Sequence, residues 1–398
     1  SMDCSNEKMI SDMQYTHDIE EDKDLKMPTF GKSGSLSLLS MYGLEYDDPQ
    51  WESLLDQVTW QEAVTLATYG GGTAGCVSVN APDALAKDGP GGINQGNNNL
   101  SNIMCFPSEC LMAATFNEEL IEELGNAFGM EIMHVGYTGI YGPGANIHRS
   151  AYSGRNWEYF SEDGFISGKM LAREVKGLQN RGVIVFTKHF LLNDQERNRY
   201  GVSVFANEQS IREIYLMAFE DGVTEGKMNG MMSSFNRIGC IWSGAHKGLL
   251  TEVLRNEWGF VGVVQTDAYV GTHMHMALAE SIVAGNDFTM GGSNPTALDN
   301  YKNNVTVANA LRETVHRILY TKLHSNAMTG MTVNSLIIEV TPWWKSALNI
   351  GTYTCATCMS ICLIMFILSF VVPYLIDKKK KLQSSTCLLY TSPSPRDT

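Results

Sequence analysis

The stretch LLTEVLRNEWGFVGVVQTD, from Leu249 to Asp267, contains a helix signal followed directly by a strand signal. Apolar residues recur on one helical face, and Gly259 ends the predicted helix. The run Phe260–Val264 is apolar and rich in β-branched residues, which is typical of a parallel strand covered on both faces. Asp267 then lies just past the carboxyl end of this strand, where α/β barrels carry their chemistry. The alternative role for Asp267 is a cap of the next helix, because Asp is a favoured capping residue.

A second strand signal upstream also ends in polar side chains. The apolar run that starts at Val183 leads to a cation and an imidazole, Lys188 and His189. Further strand-like runs cover residues 228–235 and 284–290, and helical spacing covers residues 51–67, 117–128, 164–179, 207–224, 273–284 and 305–323. Because strands and helices alternate, we predict an α/β fold, a TIM-like (β/α)8 barrel, in preference to a β-sandwich.

Four motifs occur in a fixed order along this predicted barrel. They are GPGANIHR at 142–149, GRNWEYFSED at 154–163, KHFLLNDQERNR at 188–199 and the strand-end pair TD at 266–267. Their order closely resembles glycoside hydrolase family 3, over roughly residues 50 to 325. The resemblance implies a retaining, exo-acting β-glucosidase that hydrolyses terminal β-D-glucosyl residues of β-linked oligosaccharides or glucosides. It places the nucleophile, which forms a covalent glycosyl intermediate, at Asp267.

The resemblance also implies which residues bind the sugar. Asp88 would bind the hydroxyls farthest from the anomeric carbon, and the complete set is Asp88, Arg155, Lys188, His189, Met232 and Phe235. Charge-assisted hydrogen bonds from the Asp, Arg, Lys and His side chains of this set would select against sugars that lack a hydroxyl. The same charged residues could instead form a structural network of ion pairs. In that alternative Arg155 pairs with Glu158 or Asp163, and Lys188 pairs with Asp194.

The acid/base residue is not assigned by the sequence. A retaining glycosidase needs a second carboxyl group about 5 to 5.5 Å from the first. In β-glucosidase-like family members a separate α/β sandwich domain supplies it, so we expect an upstream domain of that kind in a longer enzyme and little activity from this chain alone. A β-N-acetylhexosaminidase-like arrangement, with the acid/base on the loop after His189, is the alternative. Two further alternatives are not enzymes: a non-catalytic surface carbohydrate-binding module and a purely structural barrel.

The carboxyl-terminal part has a different composition. No charged residue occurs between Lys345 and Asp377, and this length is sufficient to cross a bilayer. We therefore predict a transmembrane helix over residues 347–376, with a buried helix of a soluble domain as the alternative. Tryptophans precede it and Lys378–Lys381 follow it, which predicts a cytoplasmic carboxyl terminus and an extracellular catalytic domain.

Composition and the remaining segments complete the expected organisation. Residues 1–48 are polar and acidic and are predicted to be a linker, 49–328 the barrel, and 377–398 a basic flank with a tail that resembles translated adapter sequence. No amino-terminal signal peptide is visible, which adds to the expectation of an incomplete chain. The net charge of −14 argues against nucleic acid as a partner. Only one of the cysteine pairs has the spacing C-x-x-C and no second pair follows, so neither a metal nor a cofactor is predicted.

Overall fold

Strands and helices alternate along the part of the chain that the computed structural model describes. The described residues are 7, 11, 13, 19–94, 103–269, 275–291, 294–332, 334–337 and 343–387, with side chains to residue 383. The strands are β1 (Gly72–Thr73), β2 (Ala84–Asp88), β3 (Gly139–Tyr141), β4 (Ile184–Phe190), β5 (Ser203–Val204), β6 (Gly230–Ser233), β7 (Arg237–Ile238), β8 (Ile241–Trp242), β9 (Val263–Tyr269) and β10 (Phe288–Gly291).

The helices lie between these strands and after them. The α-helices are α1 (Gln50–Leu55), α2 (Trp60–Thr68), α3 (Glu109–Ala113), α4 (Glu118–His134), α5 (Gly164–Gln179), α6 (Glu208–Ser210), α7 (Met217–Thr224), α8 (Leu278–Ala284), α9 (Val305–Leu323) and α10 (Trp343–Cys387). Ile211–Leu216 and Gly248–Glu257 are π-helical. Short 3-10 helices cover Leu38–Met41, Val77–Val79, Asn156–Glu158, Ser243–Ala245, Asp299–Tyr301 and Asn326–Met328.

A seven-stranded sheet in the order β1-β2-β3-β4-β6-β9-β10 forms a nearly closed barrel. Every pairing from β2 to β10 is parallel, whereas β1 runs antiparallel to β2. The two edges meet at Gly70, where a Cβ atom would lie 1.2 Å from the carbonyl oxygen of Gly291, so only glycine fits there. The amide of Asn294 donates to Thr68 Oγ1 at 3.3 Å across the same gap. Strands β5, β7 and β8 form a separate small sheet.

The TIM-like barrel is therefore confirmed, but the prediction of eight parallel strands is wrong for the described residues. Six parallel strands and one antiparallel strand make up the barrel sheet. Strands β1 and β2 are antiparallel because a short connection joins them. Within this connection, Cys76 and Ala81 form an isolated antiparallel β-bridge. A parallel pairing would need a crossover of a dozen or more residues, usually a helix.

Two element boundaries also differ from the predicted ones. The helix predicted over 51–67 is interrupted at Thr59, which forms a capping box with Glu62 and starts α2. Asp267 lies within β9 and not beyond its end. Because Asp267 belongs to a strand, a role as a helix cap is excluded.

The segment before the barrel is not a free linker. Leu38 and Met41 are completely buried and belong to the same hydrophobic cluster as Trp51. The linker prediction for residues 1–48 is therefore wrong for residues 19–48, because a few apolar side chains in a polar stretch pack against the barrel helices. Most of the earlier residues lie outside the described part of the chain.

Residues 338–398 form a second unit, described as the single helix α10. The helix is longer at both ends than the predicted span 347–376, and it contains Pro373. By length and composition, residues 343–383 include a stretch apolar enough to cross a membrane, with a mean hydropathy of 2.5. The tail 388–398 lies outside the described residues.

Two carboxyl groups are buried together between α3 and α5. Glu109 is 0% exposed and Glu174 is 1% exposed. Both carboxylate oxygens of Glu109 lack a hydrogen-bond partner among the described residues. Burial, with a contribution from Glu174, raises the pKa of Glu109 well above its ordinary value, and burial raises the pKa of Glu174 to about 8. Burial therefore favours the protonated form of both groups in the folded state.

Replacing Glu174 with glutamine is expected to stabilise the fold at pH 8 and to change little near pH 4.5. A pKa that is raised in the folded state makes the folded state bind more protons than the unfolded one. The associated stability is complete below the ordinary value of 4.5 and is lost as the pH rises towards 8. Each pKa unit corresponds to about 1.4 kcal/mol, so a gain of a few kcal/mol is the upper bound.

Urea unfolding of the full chain in detergent at several pH values measures this effect. The difference in unfolding free energy between Glu174→Gln and the unmodified chain should grow from pH 5 to pH 8. Glu162→Gln is the matched control, because Glu162 is exposed. A constant difference across this range would show that Glu174 does not carry a raised pKa.

Candidate active site

Side chains from several strand ends surround one cavity of about 310 Å³. Because the carboxyl ends of parallel strands meet at one rim of a barrel, residues far apart in sequence come together there. The cavity is lined by Asp88, Tyr141, Arg155, Lys188, His189, Glu196, Arg199, Met232, Asp267 and Met290. Of the residues predicted from sequence, only Phe235 is missing from this lining.

Asp267 lines the cavity, and one of its carboxylate oxygens has no hydrogen-bond partner among the described residues. Its Oδ1 accepts a hydrogen bond from the amide of Ala268 at 2.7 Å. Its Oδ2 is buried, has no hydrogen-bond partner among the described residues, and lies 3.6 Å from His189 Nε2. Burial raises the pKa of Asp267, while the Ala268 amide and the nearby cations, Arg155 first, act in the opposite direction. The surrounding cations therefore do not fully compensate for the loss of water around this carboxylate.

Lys188 and Asp88 form an ion pair at the rim of the cavity. The Nζ atom of Lys188 donates to Asp88 Oδ1 at 2.9 Å. The side chain of Lys188 is 4% exposed and that of Asp88 is 50% exposed, so the carboxylate is the solvent-facing partner. Lys188 thus pairs with Asp88. The structural alternative, in which Lys188 pairs with Asp194, is wrong.

A carboxylate that the sequence did not single out lies between two arginines. Glu196 Oε2 accepts from Arg199 Nη1 at 2.9 Å, and Glu196 Oε1 lies 3.9 Å from Arg155 Nη1. Arg155 also pairs with Glu158, as the ion-pair alternative predicted. The signal for this cluster is present in the motif KHFLLNDQERNR, where Glu196 and Arg199 are three residues apart, but nothing in that spacing shows that both reach the cavity.

Phe235 does not line the cavity but packs against Arg199, a residue that does. The side chain is 1% exposed, and the guanidinium carbon of Arg199 lies 4.9 Å from the centre of its ring. A cation over the face of an aromatic ring is favourable. Met232, in β6, lines the cavity itself, as do Tyr141 and Met290, two residues that the sequence did not identify.

His189 is held from both its backbone and its ring. Asn146, from the motif GPGANIHR, accepts from the His189 amide at 2.7 Å and donates to the His189 carbonyl at 2.9 Å. On the ring side, Nδ1 lies 3.3 Å from the hydroxyl of Tyr159. Burial, followed by repulsion from Arg155, lowers the pKa of His189 well below its ordinary value. The imidazole is therefore neutral.

The comparison with known protein families agrees with this arrangement. Residues 75–321 match the family described as "Glycosyl hydrolase family 3 N terminal domain". The chain belongs to glycosyl hydrolase family 3. This finding confirms the resemblance that the four sequence motifs carry.

Individual family 3 relatives match only part of their length to this chain. A beta-glucosidase from Rhizobium radiobacter is 36% identical over 245 residues, which are 61% of this chain and 30% of the relative. Beta-glucosidase A from Butyrivibrio fibrisolvens is 40% identical over 214 residues, which are 54% of this chain and 25% of the relative. The chain thus spans less than a third of the length of these two curated relatives.

A solved structure supports the same family 3 barrel. The structure of beta-glucosidase 3B from Thermotoga neapolitana in complex with alpha-D-glucose superposes with a TM-score of 0.62 at 33% sequence identity. The superposition covers 70% of this chain and 43% of that one. The barrel architecture of this chain is therefore that of a family 3 N-terminal domain.

Proposed function

We propose that this family 3 barrel is the nucleophile-bearing part of a retaining, exo-acting β-glucosidase-like hydrolase. The observation that carries the proposal is the Oδ2 atom of Asp267. It is a buried oxygen of a carboxylate that lines the cavity, and it has no hydrogen-bond partner among the described residues, so its lone pairs are not engaged in a hydrogen bond there. The names of the relatives, beta-glucosidases, and the glucose in the Thermotoga neapolitana structure support the choice of sugar.

The cavity suits one terminal sugar ring. Its volume of about 310 Å³ lies at the small end of the range for ligand pockets, which favours a single residue over a long saccharide. In the proposed complex Asp88, Lys188 and His189 bind ring hydroxyls, and Arg155 binds the remaining one. Sugar hydroxyls both donate and accept, so a mixture of carboxylate, ammonium and imidazole groups satisfies them.

The proposed reaction has two steps. First, Asp267 Oδ2 attacks the anomeric carbon while the bond to the leaving oxygen breaks, and a general acid protonates that oxygen. Second, the same acid/base group, now a base, takes a proton from water, which attacks the anomeric carbon and releases the carboxylate of Asp267. Two displacements at one carbon retain its configuration.

We infer that the acid/base lies outside the described barrel residues. The other two carboxylates of the cavity, Asp88 and Glu196, are both bound to cations. A carboxylate that serves as the acceptor of an ion pair is poorly suited to donate a proton. Asp194, on the loop after β4, does not line the cavity, which disfavours the β-N-acetylhexosaminidase-like arrangement. We propose an upstream α/β sandwich domain as the source.

Trapping of the glycosyl intermediate tests the nucleophile directly. The full chain is incubated with a 2-deoxy-2-fluoro β-glucoside that bears a dinitrophenyl group, a leaving group that needs little protonation. The fluorine slows the second step, so a labelled peptide that contains Asp267 should accumulate and be detected by mass spectrometry. Asp267→Asn is the control and should carry no label.

The other readings of the chain predict different outcomes. A carbohydrate-binding module would bind glucose or an imino-sugar in calorimetry without becoming labelled. A structural barrel would neither bind a sugar nor become labelled. Label on a carboxylate other than Asp267 would contradict the assignment of the nucleophile.

We further propose that α10 anchors the protein in a membrane, with the catalytic domain outside the cell and the carboxyl terminus in the cytoplasm. Length and hydropathy support a span, and Lys378–Lys381 form the basic flank expected on the cytoplasmic side. Tryptophans at the start of α10 suit the opposite interface.

Labelling of thiols measures this orientation. Cys105 and Cys110 are exposed and free. A membrane-impermeant maleimide is expected to label them on intact cells that produce the natural protein, because the reagent does not enter the cell. The double variant Cys105→Ser/Cys110→Ser is the control and should lose the label on the peptide that contains these two positions, as located by mass spectrometry. Labelling that requires permeabilised cells would place the barrel inside.

A further inference from the structure

The amide of Asn193 has one orientation that fits its neighbours. Its Nδ2 atom lies 3.3 Å from Glu196 Oε1 and 3.2 Å from the Tyr159 hydroxyl oxygen. A carboxylate accepts hydrogen bonds and has no proton to give. The atom that faces Glu196 must therefore be the amide nitrogen, and Asn193 donates to both neighbours.

This orientation fixes the direction of the next hydrogen bond. The oxygen of Tyr159 accepts from Asn193, so its own proton is available for another acceptor. Among the residues that the structure describes, the other polar atom within hydrogen-bond distance of this hydroxyl is His189 Nδ1, at 3.3 Å. Tyr159 is 0% exposed, and burial raises its pKa above the ordinary value, so the hydroxyl keeps its proton. If the imidazole donated instead, the proton of Tyr159 would be buried without an acceptor, which is unfavourable.

The position of the proton on His189 follows from these two contacts. A neutral imidazole carries one proton, on either Nδ1 or Nε2. Nδ1 accepts from Tyr159, so the proton resides on Nε2. The Nε2 atom lies 3.6 Å from Asp267 Oδ2, which is the oxygen that has no hydrogen-bond partner among the described residues.

We propose that Tyr159 is a positioning residue that fixes the tautomer of His189 and thereby directs an N–H group at the nucleophile. The relay is the series of hydrogen bonds from Glu196 through Asn193 and Tyr159 to the imidazole. This proposal rests on the proposed function of Asp267 as the nucleophile and extends it. With this tautomer the positive end of the N–H dipole faces the carboxylate. With the opposite tautomer a nitrogen lone pair would face it and repel it.

The relay explains two features of the site together. It gives the ion-paired Glu196 an effect on Asp267 although the two carboxylates are not in contact. It also explains why a tyrosine hydroxyl is buried beside a neutral histidine. The hydroxyl donates its proton to Nδ1 and so sets the direction of the hydrogen bonds in the relay. Hydrogen bonds that are linked in this way polarise one another in a low-dielectric interior.

The tautomer is measured by nitrogen NMR on the full chain labelled with ¹⁵N-histidine, in detergent. Couplings from the ring carbon-bound protons distinguish the protonated nitrogen from the unprotonated one, and His189→Gln identifies the signal of His189. The unmodified chain is expected to show a neutral His189 with its proton on Nε2. A proton on Nδ1, or an imidazolium at neutral pH, would overturn the proposal before any variant is made.

The variant Tyr159→Phe supplies the second readout. It is expected to shift His189 towards the Nδ1–H tautomer and to slow formation of the fluoroglucosyl label on Asp267. The slowing should be about 10-fold, because an N–H dipole 3.6 Å from the carboxylate oxygen acts more weakly than a hydrogen bond to a charged group would. Tyr301→Phe removes another tyrosine hydroxyl, in a partly buried side chain outside the site, and should change neither readout. An unchanged tautomer in a folded Tyr159→Phe variant would also overturn the proposal.

The two readouts separate this proposal from the proposed function. An Nε2–H tautomer that depends on Tyr159, without any label on Asp267, would leave the relay intact and remove the nucleophile. Label on Asp267 in a chain whose His189 carries its proton on Nδ1 would keep the nucleophile and remove the relay.

Discussion

Replacing Asp267 with alanine is expected to lower turnover of a dinitrophenyl β-glucoside by roughly 10⁴-fold or more, and added azide is expected to restore part of it. The variant leaves a space the size of a carboxylate beside the anomeric carbon. Arg155, Arg199 and Lys188 surround this space with positive charge, so it should attract a small anion. Azide would attack from the face that Asp267 occupies, and the product should be the α-glucosyl azide.

The configuration of the product is the decisive measurement, and proton NMR of the azide product determines it. Asp267→Asn is the matched control, because its amide fills the space that azide needs and should permit no rescue. A β-glucosyl azide would mean that azide reached the opposite face of the ring and that Asp267 is not the group it replaces. Turnover by Asp267→Ala at the level of the unmodified chain would exclude a covalent mechanism through Asp267.

The parts of the site that lie at strand ends could be predicted from the sequence. Lys188, His189 and Asp267 each belong to a strand whose apolar run ends in polar residues, and such ends meet at one rim of a barrel. Asp88 was identified only by the resemblance to family 3. The contribution of Glu196 could not be predicted in this way. It depends on how the loop after β4 folds back over the cavity, and no local spacing determines that path.

The ion pairs also show that local sequence spacing predicts only contacts between residues close in sequence. The sequence offered Glu158 and Asp163 as partners of Arg155. The pair with Glu158 forms, because residues this close in sequence meet in a helical turn. The contact between Lys188 and Asp88 joins residues 100 positions apart. Since the sequence offered the nearer Asp194 as a partner, the local alternative was wrong for Lys188. Both β2 and β4 pair with β3, and this long-range pairing brings the ends of the two strands close enough for the observed ion pair.

The fold was predictable where apolar periodicity was long and regular. The alternation of helices and strands from residue 117 onwards indicated the barrel correctly. The antiparallel β1 has two residues, and the packing of residues 19–48 rests on a few apolar side chains such as Leu38. Short elements carry too few residues for a pattern to develop, so their positions are determined by the rest of the barrel.

The barrel also depends on a buried charge that no sequence motif indicated. Asp287, immediately before β10, is 0% exposed. Its Oδ2 accepts from Arg255 Nη2 at 2.9 Å and from the Val264 amide at 2.7 Å. Its Oδ1 accepts from Arg317 Nε at 2.6 Å and from the Thr314 hydroxyl at 3.4 Å. One carboxylate thus joins the π-helical segment Gly248–Glu257, strand β9 and helix α9.

The two arginines depend on this carboxylate. Burial, followed by repulsion from Arg317, lowers the pKa of Arg255 to about 10. Both cations remain charged at neutral pH, and each is removed from most of its water. Their mutual repulsion is offset by Asp287 between them.

Replacing Asp287 with asparagine is therefore expected to destabilise the barrel by about 3 to 5 kcal/mol, because two buried cations lose their counter-charge. Glu313→Gln is the matched control. Glu313 lies 3.8 Å from the same Arg317, but its side chain is 57% exposed, so its loss should cost about 0.5 kcal/mol or less. Urea unfolding in detergent, followed by tryptophan fluorescence, measures both variants. Equal losses from the two would mean that the buried pair contributes no more than an exposed one, and that packing alone holds β10 against α9.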